Sequence, residues 1–353
     1  MKAVSCVFSC RYILLLGVVL CLAGCAGLSV DPFPFRDPAI DLVWPAPPNP
    51  PRIRFLREIT GPGQIVPKQG KLGQFWQIVT GEEAVTIPLM TPYGIVGDGN
   101  ALLCVADSTA RAVQCYDMEK RKVYYIRQAG EEALVSPVGV ALDLNGNVLV
   151  SDSVNAGVYV FSPQGEYLRE LGKGEVAFQR PAGIAVAGNG DVYVVDVLAH
   201  KLKKFDRDGR YLGEFPREGS GEPLNLPSNV AIDRNGNVYV TDSMNFTVKV
   251  YDRQGNFKQA IGEIGDTPGS FARPRGVAVD SDLNVYVIDA IHNNFQIFNQ
   301  QGQLLLFVGK DGKSSGEFYL PSGVFIDSRD RIFITDTFNR RVQIFEYLKK
   351  DSN

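Results

Sequence analysis

Six aspartates recur along the chain, and carboxylates in such a pattern could hold a metal ion. Each one ends a short run of β-branched and other apolar residues; they are Asp107, Asp152, Asp196, Asp242, Asp289 and Asp336. An aspartate at such a position can also accept backbone N–H bonds in the adjoining turn, which explains it without a ligand. We therefore expect a structural role in turns for these aspartates. We also expect left-handed turn conformations for Asn155, Asn245 and Asn339, three residues further on.

The remaining residues that could do chemistry are few. Only two histidines occur, His200 and His292, and we find no Gly-rich phosphate loop, zinc-type cysteine pair or serine nucleophile elbow. Cys104 and Cys115 lie three residues before and eight after Asp107, symmetric about a hairpin loop, which predicts cross-strand neighbours. They could form a disulfide. Alternatively they are an ordinary packing pair, as we expect of Leu149 and Val160, the equivalent residues of the next repeat.

A unit that begins with proline repeats six times and would position these residues. The units start at Pro92, Pro137, Pro181, Pro227, Pro274 and Pro321. Each contains β-type runs separated by Gly, Asn and Asp turns, and the second copy (137–172) shows four of them, which indicates a four-stranded antiparallel blade. The period of 44 to 47 residues is typical of propellers. Residues 92–353 resemble the NHL repeat, which implies an all-β, six-bladed β-propeller.

The sixth unit lacks its outer strand because only eight residues follow the run Val342–Phe345. The string Phe55–Ile59 nearly repeats Tyr167–Leu171, the fourth strand of the second unit. We therefore predict that residues 52–60 complete blade six and close the ring. The connection 61–91 would then follow, with helical apolar spacing over 72–80, and this helix would either pack on the propeller or cover the channel.

The propeller resemblance places the residues after the repeat prolines at the mouth of the central channel. Related lactonase-type propellers hold calcium there with Glu, Asn and Asp, and amidating lyases hold zinc with several histidines. The residues after the repeat prolines include no carboxylate, and two histidines cannot supply the zinc set. The polar and basic residues expected near the mouth are Tyr93, Arg180, Ser228, Arg273, Arg275 and Ser322, with Lys310 and Lys313 on a neighbouring loop. They are either solvated loop residues or a face that docks an acidic or carbohydrate surface, because arginine binds carboxylates bidentately.

The N-terminus has the features of an export signal. Lys2 and Arg11 precede an apolar run to Gly24 that is short for a membrane span. The string Leu22–Cys25 resembles the lipobox of bacterial lipoproteins, which implies cleavage of residues 1–24 and acylation of Cys25. Ala26 follows the cysteine, which favours the outer over the inner membrane in a Gram-negative cell. The proline-rich segment 25–51 is predicted to be an extended tether.

The net charge of −3 excludes nucleic-acid binding by bulk electrostatics. Taken together with the lipobox and the missing catalytic and metal-binding residues, this leads us to expect a monomeric, non-catalytic envelope lipoprotein without metal or cofactor. Its membrane contact is the lipid, and its propeller would dock another envelope protein or an exported polymer. NHL-type lipoproteins of this kind are associated with envelope assembly or extracytoplasmic electron transfer. The alternative is a metal-dependent propeller hydrolase or lyase.

Overall fold

Short runs rich in valine, isoleucine, leucine and aromatic residues form the strands of the computed structural model, which describes residues 31–67 and 86–349. Tight turns separate these runs, and several contain glycine with a positive φ, such as Gly146 (79°) and Gly165 (89°). Glycine adopts this conformation without the steric cost that a side chain brings. Cys25, the signal segment and the helix predicted over 72–80 lie outside the described residues.

Strands are numbered here in chain order. The first elements are β1 (Val43–Trp44), β2 (Ile53–Ile59) and a single helical turn, α1 (Pro62–Ile65). Blade one contains β3 to β6, at Pro92–Gly97, Leu102–Asp107, Ala112–Asp117 and Lys122–Ile126. A small hairpin follows, with β7 (Gln128–Ala129) and β8 (Glu132–Ala133). Blade two contains β9 to β12, at Pro137–Leu142, Val148–Asp152, Gly157–Phe161 and Tyr167–Glu170.

The remaining blades repeat this order. Blade three contains β13 to β16, at Pro181–Val186, Val192–Asp196, Lys201–Phe205 and Tyr211–Phe215. Blade four contains β17 to β20, at Pro227–Ile232, Val238–Asp242, Thr247–Tyr251 and Phe257–Ile261. Blade five contains β21 to β24, at Pro274–Val279, Val285–Asp289, Asn294–Phe298 and Leu304–Val308. Blade six begins with β25 to β27, at Val324–Ile326, Arg331–Asp336 and Arg341–Tyr347.

The predicted ring closure is confirmed. Strand β2 pairs antiparallel with β27, from Ile53 opposite Tyr347 to Ile59 opposite Val342, and so supplies the fourth strand of blade six. The predicted six-bladed propeller with four-stranded antiparallel blades is confirmed as well. Blade six differs from the others in one respect, because β1 pairs with β2 and adds a fifth strand at its outer edge.

Residues 33–44 pack against the propeller, within the segment 25–51 that the prolines predicted to be an extended tether. Phe33 is 3% exposed, and its N–H donates to the carbonyl of Met118 in blade one at 2.8 Å. Trp44 packs on Phe345, with ring centroids 5.8 Å apart. Burial of these aromatic side chains outweighs the local preference of proline for an isolated extended chain. The tether therefore does not extend through this stretch.

The hydrophobic core lies between neighbouring blades, where six clusters of buried side chains fill the six interfaces. Near the start of the first strands, glycine allows adjacent blades to approach closely. A Cβ added to Gly139 would lie 2.1 Å from the carbonyl oxygen of Ala182, and one added to Gly323 would lie 2.2 Å from that of Tyr93. These contacts bring the first strands around a common channel. Among the described residues, no helix has the length and apolarity that a membrane crossing needs.

Candidate docking site at the channel mouth

The first strands of all six blades line a central cavity of about 670 Å³. This volume falls within the range of roughly 300–1,000 Å³ that small-molecule sites occupy. One end of the cavity is formed where the first strands begin and the second strands finish, since Pro92 pairs with Asp107 there. We call this end the channel mouth. The loops between second and third strands lie at the same end.

Among residues 31–67 and 86–349, the charged residues that line the cavity are three arginines: Arg180, Arg273 and Arg275. Arg180 and Arg273 are exposed, and Arg275 is half-buried. Within residues 31–67 and 86–349, none of the three guanidinium groups has a carboxylate oxygen within 4.0 Å. Since arginine stays protonated and carries five N–H donors, the three guanidinium groups give the lining of the channel mouth positive charge and unused hydrogen-bonding capacity.

Arg275 links three blades across the channel mouth. Its Nη1 donates to the hydroxyl of Tyr93 at 2.8 Å and to that of Ser322 at 3.3 Å. The guanidinium carbon lies 5.5 Å from the centroid of the Tyr93 ring, in a cation–π contact. Ser228 donates to the carbonyl of Arg275 at 2.9 Å. In the part of the chain described, Nε and Nη2 of Arg275 have no hydrogen-bond partner, so this edge of the guanidinium can bind a carboxylate with two bonds.

The structure therefore brings together all six residues that the sequence placed near the mouth: Tyr93, Arg180, Ser228, Arg273, Arg275 and Ser322. The two neighbouring lysines are not part of the lining. Lys310 pairs with Glu317 at 3.3 Å, while the carbonyl of Lys313 accepts a bond from Arg341. Serines at the mouth were missed: Ser108, Ser136, Ser153 and Ser243. A repeat alignment could have found three of them, because Ser108, Ser153 and Ser243 each directly follow a repeat aspartate.

The six repeat aspartates are fully buried and hold loops within their own blades. Asp107, for example, accepts N–H bonds from Met90 at 2.6 Å, Thr91 at 2.9 Å and Ala110 at 3.0 Å. Two of the aspartates place residues of the site. The backbone N–H of Arg180 donates to Asp196 at 2.8 Å, and that of Arg273 donates to Asp289 at 3.1 Å.

The asparagines after the aspartates do not have the predicted left-handed conformation. The residue with positive φ is the next one along, as at Ala156 (54°) and Arg340 (57°). The side chain of Asn155 instead donates to the carbonyl of Ala133 at 2.9 Å and that of Asn339 to the carbonyl of Gly312 at 2.8 Å. Asparagine is thus selected here for its amide donor, which braces the preceding loop.

The two histidines lie in different blades and make separate contacts. Nδ1 of His200 accepts the N–H of Leu226 at 3.1 Å. Nδ1 of His292 lies 3.1 Å from a carboxylate oxygen of Asp289. In the described ranges, no group of three or more His, Cys, Asp and Glu residues has the geometry of a metal site.

Cys104 and Cys115 are directly opposed on β4 and β5, with Cα atoms 4.1 Å apart, and their sulfur atoms are bonded. Both residues are fully buried in the cluster between blades one and two. Their place is the interior of an interface between blades, away from the channel mouth, so the disulfide has a structural position.

Comparison with known proteins agrees with this architecture. A search among curated proteins returns no relative that matches the chain. Among solved structures, a streptogramin B lyase is 12% identical, with a TM-score of 0.55 over 75% of this chain and 96% of that one. A gluconolactonase from Xanthomonas campestris is 17% identical, with a TM-score of 0.58 over 73% and 86%. An auxiliary nutrient binding protein from Bacteroides ovatus is 16% identical, with a TM-score of 0.58 over 73% and 69%.

These identities show a shared fold alone, because one propeller architecture serves both enzymes and binding proteins. The family described as 6-bladed beta-propeller matches the chain over residues 108–217, 223–293 and 281–348, which together span more than half of its length. The chain belongs to the 6-bladed beta-propeller family.

Proposed function

We propose that this protein is a non-catalytic docking scaffold that binds an acidic partner at the channel mouth. One observation carries the proposal: in the part of the chain that the structure describes, the charged lining of the cavity consists of three arginines and no carboxylate. Arginine is the side chain best suited to recognise carboxylates, because its planar guanidinium donates two parallel hydrogen bonds. The contacts of Arg275 with Tyr93 and Ser322 hold one such donor edge in place, so little side-chain entropy remains to be lost when a ligand binds.

The test replaces the two exposed arginines of the mouth together, in an Arg180→Glu/Arg273→Glu variant. No side-chain hydrogen bond of either residue is found in the described structure, so the variant should melt at the temperature of the unchanged protein. The matched control is Arg253→Glu, since Arg253 is an exposed arginine in the turn between β19 and β20, at the other end of the blade.

Chemical crosslinking in the native cells, followed by mass spectrometry, provides the measurement. We expect the same captured partner with the unchanged protein and the control, and loss of that partner with the double variant. An identical set of captured molecules with all three proteins would contradict the proposal. Metal analysis of the purified protein separates the enzymatic alternative, because stoichiometric zinc or calcium would favour a hydrolase or lyase.

We also propose that Cys25 carries a lipid anchor in the envelope, in the outer membrane where the cell is Gram-negative. The support is the lipobox-like string that ends at Cys25. Metabolic labelling with a palmitate analogue should label the unchanged protein and leave Cys25→Ala unlabelled. Equal labelling of both proteins would overturn this assignment.

A further inference from the structure

A ring of exposed apolar side chains surrounds the channel mouth. In five of the six blades, the second residue after the repeat aspartate is a large hydrophobic one: Val154, Leu198, Met244, Ile291 and Phe338. We call these five residues the collar. Their exposure runs from 48% at Leu198 and Met244 to 63% at Val154. In blade one the equivalent residue is Thr109.

The collar and the arginines lie at the same end of the propeller. Every collar residue lies on a loop between second and third strands, and those loops share the end of the propeller at which the channel opens. Met244 itself lines the cavity together with the arginines. The ring of Tyr319 packs on Phe338, with centroids 5.5 Å apart, which extends the apolar area at blade six.

Repetition distinguishes the collar from ordinary surface apolarity. Single exposed hydrophobic residues are common on soluble proteins and need no explanation. Here one equivalent position is apolar and about half exposed in five blades, two residues before the residue with positive φ. Met, aromatic residues and Arg are enriched in protein interfaces, and this end of the propeller presents all three kinds.

We infer that the collar and the channel mouth together dock a protein that presents an aspartate or glutamate to the arginines and apolar side chains to the collar. This inference rests on the proposed function and names the class of its partner. Charge complementarity selects the carboxylate, because the three guanidinium groups have no carboxylate neighbour in the described chain. The collar selects a protein over an acidic polysaccharide, which offers carboxylates without an apolar surface.

The experiment uses the full-length chain in its native cells with the photo-crosslinker p-benzoylphenylalanine in place of single residues. The probe replaces Met244 or Phe338 in the collar. For matched controls it replaces Phe257 or Leu305, which are similarly exposed but lie on the outer strands of blades four and five. We expect one protein adduct from both collar positions and none from the controls. The crosslinked peptide of the partner should contain or adjoin an aspartate or glutamate.

Two further variants separate the contributions. With the probe at Phe338, a Leu198→Ser/Met244→Ser background should lower the adduct yield at least tenfold, because two large apolar side chains would no longer be buried against the partner. The Arg180→Glu/Arg273→Glu background should lower it by a similar factor. Replacement of the partner's carboxylate by lysine should restore the yield in that second background. Unchanged melting temperatures show that both backgrounds are folded.

Each other result decides against the inference. If the arginine variant loses its partner in chemical crosslinking while the collar serines change nothing, the proposed function stands and the collar has no part in it. Binding of polygalacturonate by the purified protein, with no protein adduct at the collar, would assign the mouth to an acidic polymer instead. Adducts to a second copy of this chain would make the collar a self-association surface.

Discussion

Blade four and blade six both place a fully buried aspartate against a buried cation, but the two cations hold different parts of the chain. In blade four, Nζ of Lys249 lies 3.0 Å from Asp242. In blade six, Nε of Arg341 lies 2.8 Å from Asp336. A lone buried charge is costly, so each cation compensates its aspartate.

Lys249 uses its other donors within its own blade. It donates to the carbonyls of Glu222 at 2.9 Å and Pro223 at 3.0 Å, both in the loop that leads into β17. Lys203 does the same in blade three, with Asp196 at 2.8 Å. These lysines hold a loop against a blade whose four strands are consecutive in the sequence.

Arg341 uses all of its guanidinium nitrogens. It donates to the loop carbonyls of Lys313 at 2.8 Å, Ser314 at 2.9 Å and Glu317 at 2.8 Å. Its Nη1 also lies 2.7 Å from a carboxylate oxygen of Glu58, on the closing strand β2 and 283 residues away in the sequence. A blade built from both ends of the chain therefore needs a cation with more donors, because chain connectivity no longer brings its outer strand into place.

The largest effect should come from removing the closing strand. A chain that starts at Gln64 lacks Ile53, Phe55 and Ile59, all of them fully buried. Loss of one such side chain typically costs about 2–5 kcal/mol, so the joint loss should exceed about 5 kcal/mol. Thermal unfolding followed by circular dichroism should show a melting temperature lower by more than about 10 °C. A chain that starts at Asp31 is the control, and equal melting temperatures for the two would contradict ring closure by β2.

Arg341→Met should have the next largest effect. The substitution leaves Asp336 buried without its cation and frees the loop carbonyls, and breaking a buried pair in this way typically costs about 3–5 kcal/mol. Urea unfolding measures this loss. Arg340→Met, at an exposed neighbouring position, is the control and should change stability by less than about 0.5 kcal/mol. A loss for Arg341→Met as small as that of the control would refute its role in blade six.

Lys249→Met should be destabilising at the lower end of the same range, about 3 kcal/mol, because no closing strand depends on Lys249. Lys249→Gln should recover part of the loss, since Gln296 occupies the equivalent position of blade five and donates to the carbonyl of Ser270 at 2.8 Å. Lys201→Met, in an exposed ion pair with Glu214, is the control and should cost at most about 1 kcal/mol. A larger loss of stability for Lys249→Met than for Arg341→Met would contradict the greater contribution that we assign to Arg341.

The sequence predicted the blades because their signal is periodic. Five repeat prolines begin first strands, at Pro92, Pro137, Pro181, Pro227 and Pro274. The closing strand could be predicted at 52–60 because it repeats the pattern of the fourth strand of a complete blade. It is observed at Ile53–Ile59. The mouth residues followed from the register of the prolines, so their neighbourhood could be predicted from the repeat alone.

The features that the sequence did not predict depend on contacts that the repeat pattern does not indicate. Lys203 and Lys249 lie on third strands, where a charged residue in an alternating pattern suggests solvent, yet each is buried beside an aspartate seven residues earlier. In segment 33–44 the prolines predicted an extended chain, and nothing in the local sequence showed that Phe33 and Trp44 pack on the propeller. Their partners, Met118 and Phe345, are distant in the sequence.

The smallest effect is expected from Glu58→Gln, and it shows what the ion pair itself contributes to closure. Glu58 is 35% exposed and the glutamine amide can still bond, so solvent screening should limit the loss to about 1 kcal/mol or less. The loss should shrink further in 1 M salt and vanish in an Arg341→Met background. A double-mutant cycle by urea unfolding measures both. A loss above about 2 kcal/mol would mean that blade six is closed chiefly by charge, whereas a small one assigns closure to the strand pairing and the buried side chains of β2.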